Sequence, residues 1–171
     1  MKRLLLLRHA KSSWRENDLD DHDRPLAKRG LTDAPRMGER LRLRGVAPGL
    51  ILSSTAVRAR ATAEAVASSL KVGATRFALE ADLYLATPGE ILHVLSRQSD
   101  ELDELMLVGH NPGMTGLVNM LLPSLRLSNL PTCGVVAVDF DIESWSELTA
   151  CGPILAYYDY PKNPLPAISP D

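Results

Sequence analysis

"LLLLRHAKSSW" (residues 4–14) carries an uninterrupted apolar run straight into Arg8 and His9. Four consecutive leucines are the pattern of a strand covered on both faces, as in a parallel sheet with helices on either side. A strand that ends in an arginine and a histidine, with Lys11, Ser12 and Ser13 directly behind them, marks a place prepared for negative charge.

The remaining chain alternates short apolar runs with longer helical stretches. Residues 31–44, rich in arginine and leucine, read as an exposed helix. Pro35 belongs in its first turn with Thr32 as cap, or else kinks a helix that starts earlier. "LILSS" (50–54) is a second strand. "AVRARATAEAVASSL" (56–70) is a helix with Ala59, Ala63, Val66 and Leu70 on one stripe. Phe77 to Leu79 is a short strand. "TPGEILHVL" (87–95) opens a helix with Thr87 as N-cap, Pro88 in the first position and Glu90 closing a capping box. "LMLVG" (105–109) is another buried strand, and "HNPGMTGLVNMLL" (110–122) starts the next helix with Asn111 as cap and Pro112 in its first position. "GVVAVDF" (134–140) and "ILAYY" (154–158) are later strands. The pattern predicts an α/β fold, a three-layer sandwich with a mainly parallel central sheet flanked by helices. A single domain is expected over residues 1–171, with an irregular proline-rich tail from about residue 160.

Composition narrows the partners. A chain of 171 residues with 45% apolar and 23% charged residues has the make-up of a globular domain able to bury a core. Its net charge of −2 favours neither nucleic acid nor an anionic membrane, so an anion site must be built locally by a few arginines. Cys133 and Cys151 lack metal-site spacing and suit a reducing compartment. "MKRLLLL" is too short in its apolar part for a signal peptide, and no window approaches a membrane span. The expected address is the cytoplasm.

Ligands of open α/β sheets bind outside the carboxyl ends of the strands. Arg8 and His9 end the first strand, Arg58 lies in the first turn after "LILSS", and His110 directly follows "LMLVG". Two arginines and two histidines are therefore expected on one rim. A divalent metal would be repelled by the guanidinium groups, whereas a phosphate matches their planar fork of donors, so no metal and no cofactor are expected. A neutral imidazole held in the correct tautomer is a competent nucleophile towards phosphorus. The chemistry that follows is phosphoryl transfer through a phosphohistidine, with the arginines and the second histidine stabilising the transferred group.

"LLLLRHAKS", "SSTAVRARATAEAV" and "LVGHNPG", in that order, resemble the histidine phosphatase superfamily, with its phosphoglycerate mutase-like fold. In that family an Arg-His pair ends the first strand, an S-x-x-x-R-A helix supplies a second arginine, and a Gly-His supplies the second histidine. The small size and "RPLAKRG" (24–30) look most like the SixA-type phosphohistidine phosphatases. The resemblance implies that His9 is the nucleophile and that Arg8, Arg58 and His110 hold the phosphoryl group. It implies a phosphorylated protein or a small phosphorylated compound as substrate; a phosphomonoesterase or a non-catalytic phospho-ligand module are the alternatives.

Many relatives place a glutamate after the second helix as general acid. Here the corresponding stretch reads "EADLYLATPGE", with Glu80, Asp82 and Glu90 but no clean equivalent. Imidazole, with an unperturbed pKa of about 6.5, leaves without much protonation, so the gap favours a phosphohistidine substrate. Lys11 and Ser12 are further candidate phosphate donors. The loop with Asp18, Asp20, Asp21, His22 and Asp23 is expected as a solvated turn, with a proton donor or a cation site as its alternatives. Arg36, Arg40, Arg42 and Arg44 are expected as a solvated helix face, with an acidic partner as the alternative. Arg60 points away from Arg58 around the helix, and His93 is expected at the surface or core edge.

Overall fold

The computed structural model describes residues 1–164; residues 165–171, most of the expected proline-rich tail, lie outside the described residues. The leucine run forms β1 (Lys2–Arg8), and α1 (Lys28–Leu43), β2 (Leu50–Ser53), α2 (Val57–Leu70) and β3 (Phe77–Leu79) follow. The chain continues through α3 (Pro88–Ser96), β4 (Glu104–Gly109), α4 (Gly113–Leu121), β5 (Val135–Phe140) and β6 (Ile154–Asp159). All six strands join one sheet in the order β3-β2-β4-β1-β5-β6. The strands β1 to β4 pair in parallel, while β5 runs antiparallel to β1 and β6 antiparallel to β5.

Alternation along β1 divides the core. Leu5 and Leu7 pack with Ala34, Met37 and Leu41 of α1 and with Ala59, Ala63 and Val66 of α2. Leu4 and Leu6 face the other way, into a cluster with Ile91 and Leu95 of α3 and Leu117 and Leu121 of α4. All four leucines are completely buried, each worth roughly 1.5–3 kcal/mol relative to exposure. The expected three-layer α/β sandwich is thus present, with two helices on each face.

Three local expectations need correction. The first long helix starts at Lys28, a turn before the expected start, so Pro35 lies in its interior and Thr32 is not its cap. No side chain caps this end. Tertiary contact replaces the cap: the Ala27 N–H donates to the Lys11 carbonyl, and Gly30 packs against the same carbonyl. The helix after β4 begins at Gly113, with Pro112 outside it. Asn111 still serves this end, its Oδ1 accepting from the backbone N–H and the hydroxyl of Thr115. The arginine face of α1 is only partly solvated. Arg42 pairs with Glu39 on the surface, but Arg40 and Arg44 reach the fully buried carboxylate of Asp159 at the end of β6. An internal acid, distant in sequence, claims them. The capping box at α3 is formed by Thr87 and Glu90 as expected.

At Gly30 the helix α1 lies directly against the segment that follows His9. A Cβ there would collide with the backbone of Lys11, whereas one at Gly73 would meet nothing. Overpacking of this kind costs about 1–3 kcal/mol. Gly30→Ala should lower the thermal midpoint by roughly 2–12 °C in a chain of this size, while Gly73→Ala should leave it within error; equal melting curves would show that the two segments part easily.

Candidate active site

Strand register builds the site. Arg8 is aligned with Gly109 across the parallel β1–β4 pair, so the next residues, His9 and His110, emerge side by side. Their ring centroids lie 5.1 Å apart. Arg58 comes from the first turn of α2, which follows β2 on the other side of β4. His9, Arg58 and His110 are all buried, at 7%, 3% and 2% exposure. Arg8 turns its guanidinium to the loop before β5, where Nη1 donates to the Leu130 carbonyl at 2.8 Å. The four residues expected at the strand ends thus stand on one rim.

A hydrogen bond to the main chain assigns the imidazole proton of His9. His9 Nδ1 lies 2.7 Å from the Ala10 carbonyl, which only accepts. Nδ1 therefore carries the hydrogen, and the lone pair is left on Nε2. Burial, and after it the positive charges of Arg58, Arg8 and Arg24, depress the pKa of His9 to about 4. His110 is depressed to about 3, by burial first and then by His9 and Arg58. Both rings are neutral at physiological pH. His110 Nε2 is 2.7 Å from the Ser54 hydroxyl, which already accepts from the Ala56 N–H. If Ser54 donates its hydrogen to Nε2, the proton of His110 sits on Nδ1. Arg8 Nε and His110 Nδ1 are buried and have no hydrogen-bond partner among the described residues.

The acidic loop is not simply a solvated turn. The Asp21 carboxylate accepts from Arg24 Nη1 at 2.8 Å, Arg58 Nη2 at 2.9 Å and the Tyr84 hydroxyl at 2.6 Å. Its main-chain oxygen accepts a second bond from Arg58. These donors, the Tyr84 hydroxyl first among them, hold the carboxyl well below the usual range, so it is ionised. His22 is drawn in as well: Nε2 lies 2.9 Å from the Thr55 hydroxyl, and its ring stands edge-on to Tyr84, which in turn stands edge-on to His110. Ser54 and Tyr84 were not singled out by sequence, Asp21 was read as part of a solvated acidic loop, and Arg24 carried a signal only as the first residue of "RPLAKRG".

The remaining candidates fall to the side. Ser12 is buried, but its hydroxyl accepts from Arg24 Nη2, and the Lys11 side chain is exposed. Glu80 accepts from the Asp82 N–H, Arg97 approaches both carboxylates, and Glu90 is committed to its capping box. Asp82, Glu90, His93 and Tyr84 line a neighbouring cavity of about 400 Å³. Arg60 pairs with Glu64 on the surface.

Two expectations follow from this geometry. Ring titrations followed by NMR should place His9 near pH 4 and His110 near pH 3. Unfolded histidine titrates near 6.5, so between that value and the native ones the unfolded chain binds more protons. Stability should therefore fall as pH drops below about 6.5; native titration at 6.5 would contradict the burial. Asp21→Ala leaves the buried Arg58 without its carboxylate partner, and should destabilise the fold by about 1–3 kcal/mol. A melting curve unchanged by that substitution would remove Asp21 as an anchor of the site.

With the geometry in hand, comparison with known proteins gives a consistent answer. The family model of the histidine phosphatase superfamily (branch 1) matches residues 4–83. An uncharacterised chloroplastic protein of Arabidopsis thaliana is 34% identical, over 87% of this chain and 71% of its own length. A crystal structure of a candidate phosphohistidine phosphatase SixA from Agrobacterium tumefaciens superposes with a TM-score of 0.80 at 29% identity, covering 94% of this chain and 98% of its own. The protein histidine phosphatase SixA complexed with tungstate shares the fold, with a TM-score of 0.79 at 20% identity over 93% of this chain and 97% of that one. Family match, fold and the Arg-His pair at the end of β1 agree: the chain belongs to the histidine phosphatase superfamily.

Proposed function

We propose that this protein is a phosphatase that hydrolyses protein phosphohistidine through a phosphorylated His9. The observation that carries the reading is the His9 tautomer, with Nδ1–H tied to the Ala10 carbonyl and a lone pair on Nε2, in a ring kept neutral beside arginines. In the first step His9 Nε2 attacks phosphorus, and the bond from phosphorus to the substrate imidazole breaks. The departing imidazole takes its proton from solvent. In the second step water attacks phosphorus, the bond to His9 breaks, and inorganic phosphate leaves. Arg8 and Arg58 counter the charge of the transferred group, and His110 Nδ1–H donates to one of its oxygens. Arg8 Nε and His110 Nδ1, buried and without a partner among the described residues, suit such an anion.

The leaving group supports the substrate class. Among the described residues the one carboxylate in direct contact with the site arginines is Asp21, which is held ionised and is no proton donor in the free protein. Glu80, Asp82 and Glu90 are engaged with Arg97 or the α3 cap. A substrate whose leaving group departs without strong protonation fits that arrangement, and an imidazole meets the condition better than an alkoxide. A phosphorylated protein as partner, a cytoplasmic address and Lys11 and Ser12 as auxiliary contacts belong to the same proposal. Cys133 and Cys151 are both free thiols, as a reducing compartment would leave them.

Labelled phosphohistidine substrate, quenched during turnover, should leave an acid-labile, base-stable phosphoryl group on the protein. His9→Ala should abolish it. Label on Ser12 or Ser13 would assign the nucleophile elsewhere. Across a substrate series, phosphoramidates and activated aryl phosphates should outpace alkyl phosphates by at least the roughly 10²- to 10⁴-fold that a general acid contributes. Activity should also survive chelators, because guanidinium groups neutralise the phosphate.

A further inference from the structure

Beside the catalytic rim runs a second concavity, used by none of the chemistry above. It has a volume of about 780 Å³ and lies between the start of α1 and the segment that follows β6. Pro131, Tyr160 and Pro161, all half-buried, give it an apolar floor. Lys28, Arg36 and Lys162 stand exposed on its rim, and none of them makes a salt bridge among the described residues. The single acid in the lining, Asp33, is buried and already faces Arg29 at 3.7 Å. Three cations without an acidic partner among the described residues, set around an apolar floor, are unexpected in a chain of net charge −2.

The groove is joined to the catalytic centre by two short links. Thr132 in its wall precedes Cys133, whose N–H bonds to the carbonyls of Arg8 and His9. On the opposite wall Arg29 bonds to Thr132, and its neighbour Gly30 packs on Lys11, two residues beyond His9. A ligand lying in the groove would therefore run up to the edge of the site. Its chemistry is set by the lining: carboxylates to meet the rim, and apolar side chains to cover prolines and a tyrosine. Inorganic phosphate would leave the floor unused. A nucleic acid presents a charge track far longer than three cations can follow, and needs a wider basic surface.

We propose that this groove docks an acidic, partly apolar segment of the phosphorylated protein substrate, holding it while its phosphohistidine enters the rim beside His9. The inference rests on the protein-phosphohistidine reading for its partner, and the test separates the two. Two short phosphohistidine peptides serve as substrates, one neutral and one extended by alternating glutamate and leucine. Electrostatic docking at exposed cations is screened by salt and strengthens encounter. The wild-type protein should cleave the acidic peptide with a kcat/KM at least about tenfold above the neutral one at low salt, the advantage shrinking as salt is added. The triple variant Lys28→Glu, Arg36→Glu, Lys162→Glu should lose that advantage and cleave the neutral peptide and an aryl phosphate at the wild-type rate. Equal cleavage of both peptides by the wild type would overturn the groove and leave the phosphatase reading intact. If neither peptide is cleaved while the aryl phosphate is, the phosphohistidine reading fails instead. Fluorescence anisotropy of the unphosphorylated acidic peptide then decides the groove: binding lost in the triple variant sustains it, and absent binding, or displacement by an equal charge of oligonucleotide, overturns it.

Discussion

One register holds the site together: the parallel pairing of β1 with β4. Strands in a sheet stand about 4.8 Å apart, and the two histidine rings, one residue past the aligned pair Arg8 and Gly109, stand 5.1 Å apart. The backbone N–H of His9 bonds to the Gly109 carbonyl at 3.0 Å, extending the ladder into the site itself. A slip of one residue would turn Leu5 and Leu7 from one core to the other and separate the rings. The buried leucines on both faces therefore secure the spacing of two polar residues they never need to touch.

Around that register, charge is arranged so that the arginines do not repel the fold. Arg58 is almost wholly buried, and such a cation requires a partner. Asp21 is that partner, and it shares its carboxylate with Arg24 and with the Tyr84 hydroxyl. The loop between β1 and α1 is thereby tied to the start of α2 and to the turn after β3. Arg24 closes the circle by bonding to Ser12 and to the carbonyl of Ser13 while stacking on the exposed Trp14 ring. Neutral histidines, burial and nearby guanidinium groups belong to one electrostatic design: positive potential is kept for an incoming anion, and the imidazoles are denied a proton.

The far side of α1 follows the same logic on a structural task. Asp159 is fully buried, and Arg40, Arg44 and Asn163 converge on it. This network fastens β6 and the segment beyond it to α1, and so fixes the second wall of the basic groove. Arg36, on the same helix but outside the network, stays exposed at that groove. The sheet edge, the helix and the catalytic loop are coupled through α1.

What could be read from the residues in order was whatever depends on local pattern. Leu4–Leu7 announces a doubly covered strand because every position is apolar, and Thr87, Pro88 and Glu90 announce a helix start because capping involves neighbours only. Arg8, His9, Arg58 and His110 were legible because parallel sheets deliver their strand ends to one side. Asp21, His22, Ser54 and Tyr84 were not, since what makes each of them part of the site is a partner on another element. The early start of α1 and the burial of Arg40 against Asp159 were hidden for the same reason: Lys11 and β6 lie far away along the chain. Periodicity and end signals are properties of a segment, and they disclosed the strands, the presence and order of the main helices and the four residues of the rim. Which charge neutralises which, and which imidazole nitrogen keeps its proton, depends on distances of a few ångströms between segments, and only the folded chain decides those.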